Sequence, residues 1–185
     1  MALRRVFQSA GAKEHRSYTL QLNAVRLADM ALREYCAGRD AVLGYHTKRR
    51  GLGITFILRA SGHFESCIWA LERFVKHIKA LRRARFAPSD LKSLMPGNIS
   101  FLQSYAEKQI VGLRHTLAHL EEKALQGKLP QGTKIILLAI DDGLCLGDHL
   151  MTWRDITAWL QDIHKCASNL ADYMGDQEST STAIT

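Results

Sequence analysis

Four segments of this chain repeat apolar side chains at alternating spacings of three and four, which commits most of the molecule to amphipathic α-helix. The longest unbroken stripe is Trp153, Ile156, Leu160, Ile163, Ala167, Leu170 and Met174. Thr152, with Asp155 three residues on, supplies a capping-box start for it. Phe64, Cys67, Leu71, Phe74, Ile78 and Leu81 form a second stripe, closed by Arg82-Arg83, whose charge complements a helix C-terminus. That helix begins either near Ile54 or afresh after Ser61-Gly62, with Ser61 as its cap. Leu20, Ala24, Leu27, Ala31 and Tyr35 place an earlier helix over about His15 to Ala37, and Gly38 reads as its stop. Leu102, Tyr105, Leu113, Leu117, Leu120 and Ala124 build the buried side of a helix from about Ser100 to Leu125, which Gly127 terminates.

The intervening stretches read differently. Arg39 to Gly53 is dotted with glycine and carries Lys48-Arg49-Arg50, the pattern of a connecting loop or short helical turn. Pro88-Ser89-Asp90 and Pro96-Gly97-Asn98 bracket another loop with room for one helical turn. Lys134 to Ile140 reads as a strand, Asp142-Gly143 as a hairpin signal, and Leu144-Cys145-Leu146 as the start of a returning strand. A single hairpin is an appendage to a helical body. The expected fold is therefore mainly α, a four-to-five-helix up-and-down bundle with one small β-hairpin before the last helix. One domain spans residues 1–175, and the polar end from 176 to 185 is expected to be disordered.

Composition narrows the class. Hydrophobic residues make up 46% and charged residues 23%, which excludes global disorder. No apolar run approaches the ~20 residues needed to span a bilayer, so no membrane association is expected. The basic start, Met1 to Arg5, is followed by no apolar h-region, and the expected compartment is the cytoplasm. Cys36, Cys67, Cys145 and Cys166 show no C-x-x-C spacing, so free thiols are expected rather than disulfides or a zinc site. The net charge of +7 is uneven: residues through Phe86 carry +11 and the remainder −4. Such asymmetry suits an anionic partner.

One short run carries recognisable chemistry, Arg114-His115-Thr116-Leu117-Ala118-His119. It lies past the middle of the third long helix, among residues that otherwise build core. Arginine holds a phosphate with a planar fork of donors, and histidine exchanges protons near neutral pH. Together they suit cleavage of a phosphodiester. At ~100° per residue, Arg114 and His119 lie ~140° apart around the helix, with His115 between them. Two such faces meeting across a dimer two-fold would complete a cleft with duplicated residues. There an arginine neutralises the scissile phosphate, and a histidine takes a proton from the attacking hydroxyl or gives one to the leaving oxygen. With a ribose 2′-hydroxyl as attacker, no metal or other cofactor is needed and DNA is not cut.

The run resembles the Arg-x4-His signature of the HEPN superfamily: arginine, a polar residue, three further residues, then histidine. Arg114, His115 and His119 fill those slots, and Leu117-Ala118 and Leu120-Glu121-Glu122 resemble the usual flanks. The order of long helices with a hairpin and closing helix after the motif is similar as well. The resemblance implies a HEPN-like helical domain and a metal-independent endoribonuclease acting as a homodimer on RNA. It implies Arg114, His119 and His115 as catalytic residues, and a role as a toxin or defence effector, with an antitoxin protein as a possible partner. Some members are catalytically silent, so the alternative is a non-catalytic module that binds RNA, a nucleotide or a protein.

Plainer readings compete. His115 and His119 share a face at i and i+4, as zinc ligands do, yet no glutamate follows the first histidine and no third ligand has matching spacing. All three motif residues also suit a solvated polar stripe on a bundle helix. Lys48-Arg49-Arg50 and Arg82-Arg83-Ala84-Arg85 could guide RNA through phosphate contacts, but such runs commonly form a loop and a helix end. Trp153 and Trp159 suit core or interface positions better than base stacking. His63, Glu65 and Glu72 lie on the second helix, where periodicity assigns them no role.

Overall fold

The computed structural model describes residues 12–47, 53–84, 87, 89–95, 104–133, 135–147 and 149–182. The described residues form five helices and a small antiparallel sheet: α1 (Ala12–Thr47), α2 (Gly53–Arg83), α3 (Ser89–Ser93), α4 (Ser104–Leu125), β1 (Leu138–Ile140), β2 (Gly143–Leu146), β3 (His149–Thr152) and α5 (Trp153–Thr182). The expected class holds: a mainly helical body, with the strands immediately before the last helix.

α1 and α2 pack against each other as an antiparallel hairpin. Their seam descends in matched steps, with Gly44 beside Phe56 and Gly38 beside Phe64. The stripe read for α2 is wholly buried: Phe64, Cys67, Leu71, Phe74, Ile78 and Leu81 are all in the core. α5 lies against α1, and α4 against α2. The sheet ties these layers together, β1 touching α2 while β2 and β3 touch both α4 and α5. Leu144, Leu146 and Met151 carry its buried face. Burial also pushes the Cys67 thiol up to about 12 and the Cys166 thiol up to about 11, because a thiolate in an apolar core loses its hydration. Cys36 is exposed and Cys145 partly so, and all four cysteines are free.

Several boundaries differ from the sequence reading. α1 does not stop at Gly38 but continues through Arg39 to Thr47. A Cβ at Gly38 would sit 2.7 Å from Phe64 Cε1, so this glycine admits an aromatic ring to the helix backbone. Its helical cost of ~1 kcal/mol relative to alanine is offset by that packing. α2 starts at Gly53, the earlier of the two expected starts, and Ser61 is no cap: it is buried mid-helix and its hydroxyl donates to Glu65 Oε1. Of the expected α4 stripe Leu113 is buried, Leu117 and Leu120 are partly buried and Ala124 is exposed; Ala106 and Ile110 complete the buried side. The helix ends as expected at Gly127, with φ of 65°, Gly127 N–H donating to Ala124 O and Lys128 N–H to Lys123 O.

The hairpin is present, but its chemistry is not that of an Asp-Gly turn. Ile140 pairs with Gly143, which leaves Asp141-Asp142 as the two-residue turn. A Cβ at Gly143 would lie 2.0 Å from Met151 O, so this glycine permits the close approach of a third strand that the alternation did not reveal. β1 is also shorter than the run from Lys134 suggested. The capping box forms: Asp155 N–H donates to Thr152 Oγ1 at 3.1 Å, and Thr152 Oγ1 donates to Asp155 Oδ2 at 2.9 Å. α5 runs through Gly175 to Thr182, past the expected folded limit at 175, since one glycine without a following proline need not end a helix. The cluster Lys48-Arg49-Arg50, the loop signal Pro96-Gly97-Asn98, Arg85 and the first turn expected before Ser104 lie outside the described residues. Among the described residues no helix is long and apolar enough to cross a membrane.

Candidate functional site

Arg114 follows Leu113, a fully buried residue of the α4 face that meets α2. Its guanidinium therefore leaves the helix at the border between the two. There it meets Glu72, whose carboxylate lies in the α2 stripe between Ile68 and Val75 and is buried to 4% side-chain exposure. Arg114 Nη1 donates to Glu72 Oε1 at 3.2 Å, and Nε lies 2.9 Å from Oε2. The latter contact is an ion pair without hydrogen-bond alignment, so Oε2 has proximity to positive charge but no well-directed donor. Lys76 Nζ adds a second cation 2.7 Å from Oε1. A buried carboxylate without partners is strongly disfavoured, so two cations converge on this one. A further α2–α4 ion pair joins Lys79 to Glu107.

The arginine is held but not used up. Guanidinium carries five N–H donors, and only one of them, on Nη1, makes a hydrogen bond to Glu72. Its other donors belong to a side chain that is 43% exposed.

The histidines occupy different surroundings. His115 and His119 are both exposed, one helical turn apart, with Nε2 to Nε2 at 2.8 Å and ring planes at 86°. A hydrogen bond between two imidazole nitrogens needs one N–H and one lone pair. One ring therefore donates and the other accepts, according to their tautomers. On its other side His119 Nδ1 lies 3.6 Å from Glu122 Oε2, an ion-pair distance when the ring is protonated. Thr116, His119, Leu120 and Lys123 line a shallow depression of about 350 Å³ on this outer face. It offers one imidazole and one ammonium to a ligand from solvent.

Of the three residues singled out in the sequence, the structure joins His115 to His119 and turns Arg114 toward α2. Helical geometry anticipated that divergence, and within one chain the three do not converge. The anchor, Glu72, was given no role from the sequence. Its signal was a carboxylate standing among apolar residues at i−4 and i+3, namely Ile68 and Val75. His63 instead bonds Glu34 of α1, Nδ1 to Oε2 at 2.8 Å, and Glu65 accepts from Ser61. Neither reaches the motif. Among the described residues no group of three or more His, Cys, Asp or Glu side chains is placed to hold a metal ion. Comparison with family models, with curated proteins and with solved structures finds no match to this chain.

Proposed function

We propose that this protein is a metal-independent endoribonuclease of HEPN type, acting as a homodimer in which the outer faces of two α4 helices form a composite site. The observation that carries the reading is the hydrogen-bonded pair His115–His119 in solvent, on the same helix as an arginine fixed by a buried carboxylate. The 2′-hydroxyl of RNA would attack the adjacent phosphorus. One imidazole accepts its proton, and an imidazolium delivers a proton to the 5′-oxygen that leaves, so the two rings exchange protonation states and their total number of protons is unchanged. The remaining donors of Arg114 stabilise charge on the non-bridging oxygens, and Lys123 draws the backbone to the depression beside His119. Arg114 and the histidines diverge on one helix, so the arginine serving a given phosphate comes from the second copy. A place in a toxin–antitoxin or defence system follows from the resemblance alone.

The direct test incubates purified protein with labelled RNA in EDTA, beside a His119→Ala control. Cleavage in chelator that ends at a 2′,3′-cyclic phosphate and disappears in the variant is the expected result. Light scattering should show a dimer at micromolar concentration. Cleavage by a strict monomer would remove the composite site.

A second reading is favoured by one observation, the commitment of Arg114 to the buried carboxylate of Glu72. If that pair is purely architectural, the domain is a non-catalytic RNA-binding module. It would then retain RNA at low salt without cutting it.

A further inference from the structure

A second cleft of the described structure lies away from the motif, and no residue of α4 lines it. It is a cleft of about 700 Å³ between the C-terminal half of α1, the first turns of α2, and β1 with its following turn. That volume is in the ~300–1,000 Å³ range of small-molecule sites. We infer that this cleft binds a planar aromatic molecule bearing one anionic group, with the anion held at Arg39.

The floor is an aromatic cluster. Tyr35, Phe64 and Trp153 meet at inclined angles, with ring centroids 5.5 to 6.3 Å apart. Their polar atoms are directed elsewhere: Trp153 Nε1 donates to Ile140 O at 3.0 Å, and Tyr35 Oη lies 3.4 Å from Thr157 Oγ1. Tyr35 and Phe64 are buried beneath the cleft, so the ring surface a ligand meets comes from the partly exposed Trp153, Phe56 and Tyr45. Phe56 extends this wall because Gly44, like Gly38 under Phe64, has no Cβ to keep the ring off the α1 backbone; one there would lie 2.7 Å from Phe56 Cε1. A flat aromatic body fits such a lining through offset and edge contacts.

The rim gives the ligand a direction. Tyr35, Arg39, Val42 and His46 recur at four, three and four along α1, one helical stripe facing the cleft. Arg39 is exposed and forms no ion pair among the described residues, so its planar fork is available to a carboxylate, sulfonate or phosphate. Asp141 lines the cleft from the β1–β2 turn and is likewise without an ion-pair partner among those residues. Negative charge on that side and positive charge on α1 orient an anion toward Arg39. This site does not depend on the nuclease reading.

The test titrates the full chain with 8-anilino-1-naphthalenesulfonate and with N-phenyl-1-naphthylamine, which has the same rings but no charge. Probe fluorescence and energy transfer from tryptophan are the readouts. One saturable site per chain is expected for the sulfonate. Arg39→Ala should weaken the sulfonate ~10-fold or more, as loss of a charge-assisted hydrogen bond does, and change the neutral probe less than about twofold. Ile57→Trp, which fills the cleft from its wall, should abolish both; Leu43→Trp, at an exposed rim position, is the alternative if the first variant does not fold. Unsaturable binding, or an unchanged preference between the two probes in Arg39→Ala, overturns the proposal.

Discussion

Arg114 and His119 belong to one six-residue run of one helix, yet they answer to different neighbours. Arg114 is tied to a carboxylate that is 4% exposed, on another helix, with Lys76 completing the cluster. His119 is half-exposed, and its hydrogen-bond partner is His115, one turn away on the same helix. The first arrangement fixes a charge in place, because moving Arg114 would leave Glu72 short of compensation. The second fixes little and leaves protons free to exchange with solvent. A phosphodiester-cleaving site needs both properties, a stationary cation and a mobile proton, and α4 carries them on adjoining faces. The same contrast means that substitutions on the two faces should separate stability from chemistry.

The largest expected effect is on rate. His119→Ala should lower RNA cleavage by ~10²–10⁴-fold, the usual loss for a general acid–base group, while leaving RNA retention and the melting temperature nearly unchanged. Gel assays of cleavage beside calorimetry on the same preparations decide it. Equal cleavage by the folded variant removes His119 from the chemistry.

Next in size is the anchor. Arg114→Ala should destabilise the fold by on the order of 3 kcal/mol, the low end for breaking a buried pair, because Lys76 still reaches Glu72 and Arg114 is partly exposed. Arg114→Lys keeps the charge, loses the fork and should cost about half as much in stability while still losing activity. Denaturant titrations of both variants and of Glu72→Gln measure it. A stability unchanged in Arg114→Ala would show that the arginine is not anchored as described.

What the sequence made legible follows from the same division. The bundle was readable because amphipathic helices record their buried faces as a local period, and α2 and α5 carry that record almost without interruption. The capping box at Thr152 and the glycine stop at Gly127 were readable because both are local devices. Gly38 misled because a helix stop and a packing notch use the same residue, and only the partner across the seam, Phe64, distinguishes them. The third strand was hidden for a related reason, since Gly143 answers to Met151 rather than to the turn beside it. Glu72 was visible as a misplaced charge, but its partner lies 42 positions away, and periodicity within one helix names no partner. The cleft beside Arg39 is not legible in the sequence, because the glycine-dotted stretch from Arg39 has the pattern of a loop while its first part continues α1 to Thr47.

Glycines give a smaller and signed test of buried seam against open face. Gly38→Ala should cost ~1–3 kcal/mol, as overpacking does, since the new methyl meets a buried ring. Gly112→Ala in α4, where a Cβ would meet nothing within 4 Å, should stabilise by up to ~1 kcal/mol through helix propensity. Thermal melts of the two variants should move in opposite directions. Movement in the same direction would mean that the α1–α2 seam can relax around a methyl group.

The smallest effect expected is the most pointed, the stability of the protein when the histidine pair is broken. The Nε2···Nε2 contact at 2.8 Å is short, but both rings stand in solvent, where water replaces a lost donor or acceptor. Neither ring supports a buried group, so His115→Gln should change unfolding free energy by no more than ~0.5 kcal/mol, as surface substitutions generally do. Its effect on cleavage should be a partial loss, since glutamine can still donate or accept a hydrogen bond but cannot carry the proton. Nitrogen-15 spectra of the imidazoles would show whether His119 then titrates independently of its former partner. A destabilisation of ~2 kcal/mol or more would make the pair part of the architecture, and the separation between a fixed cation and a mobile proton would fail.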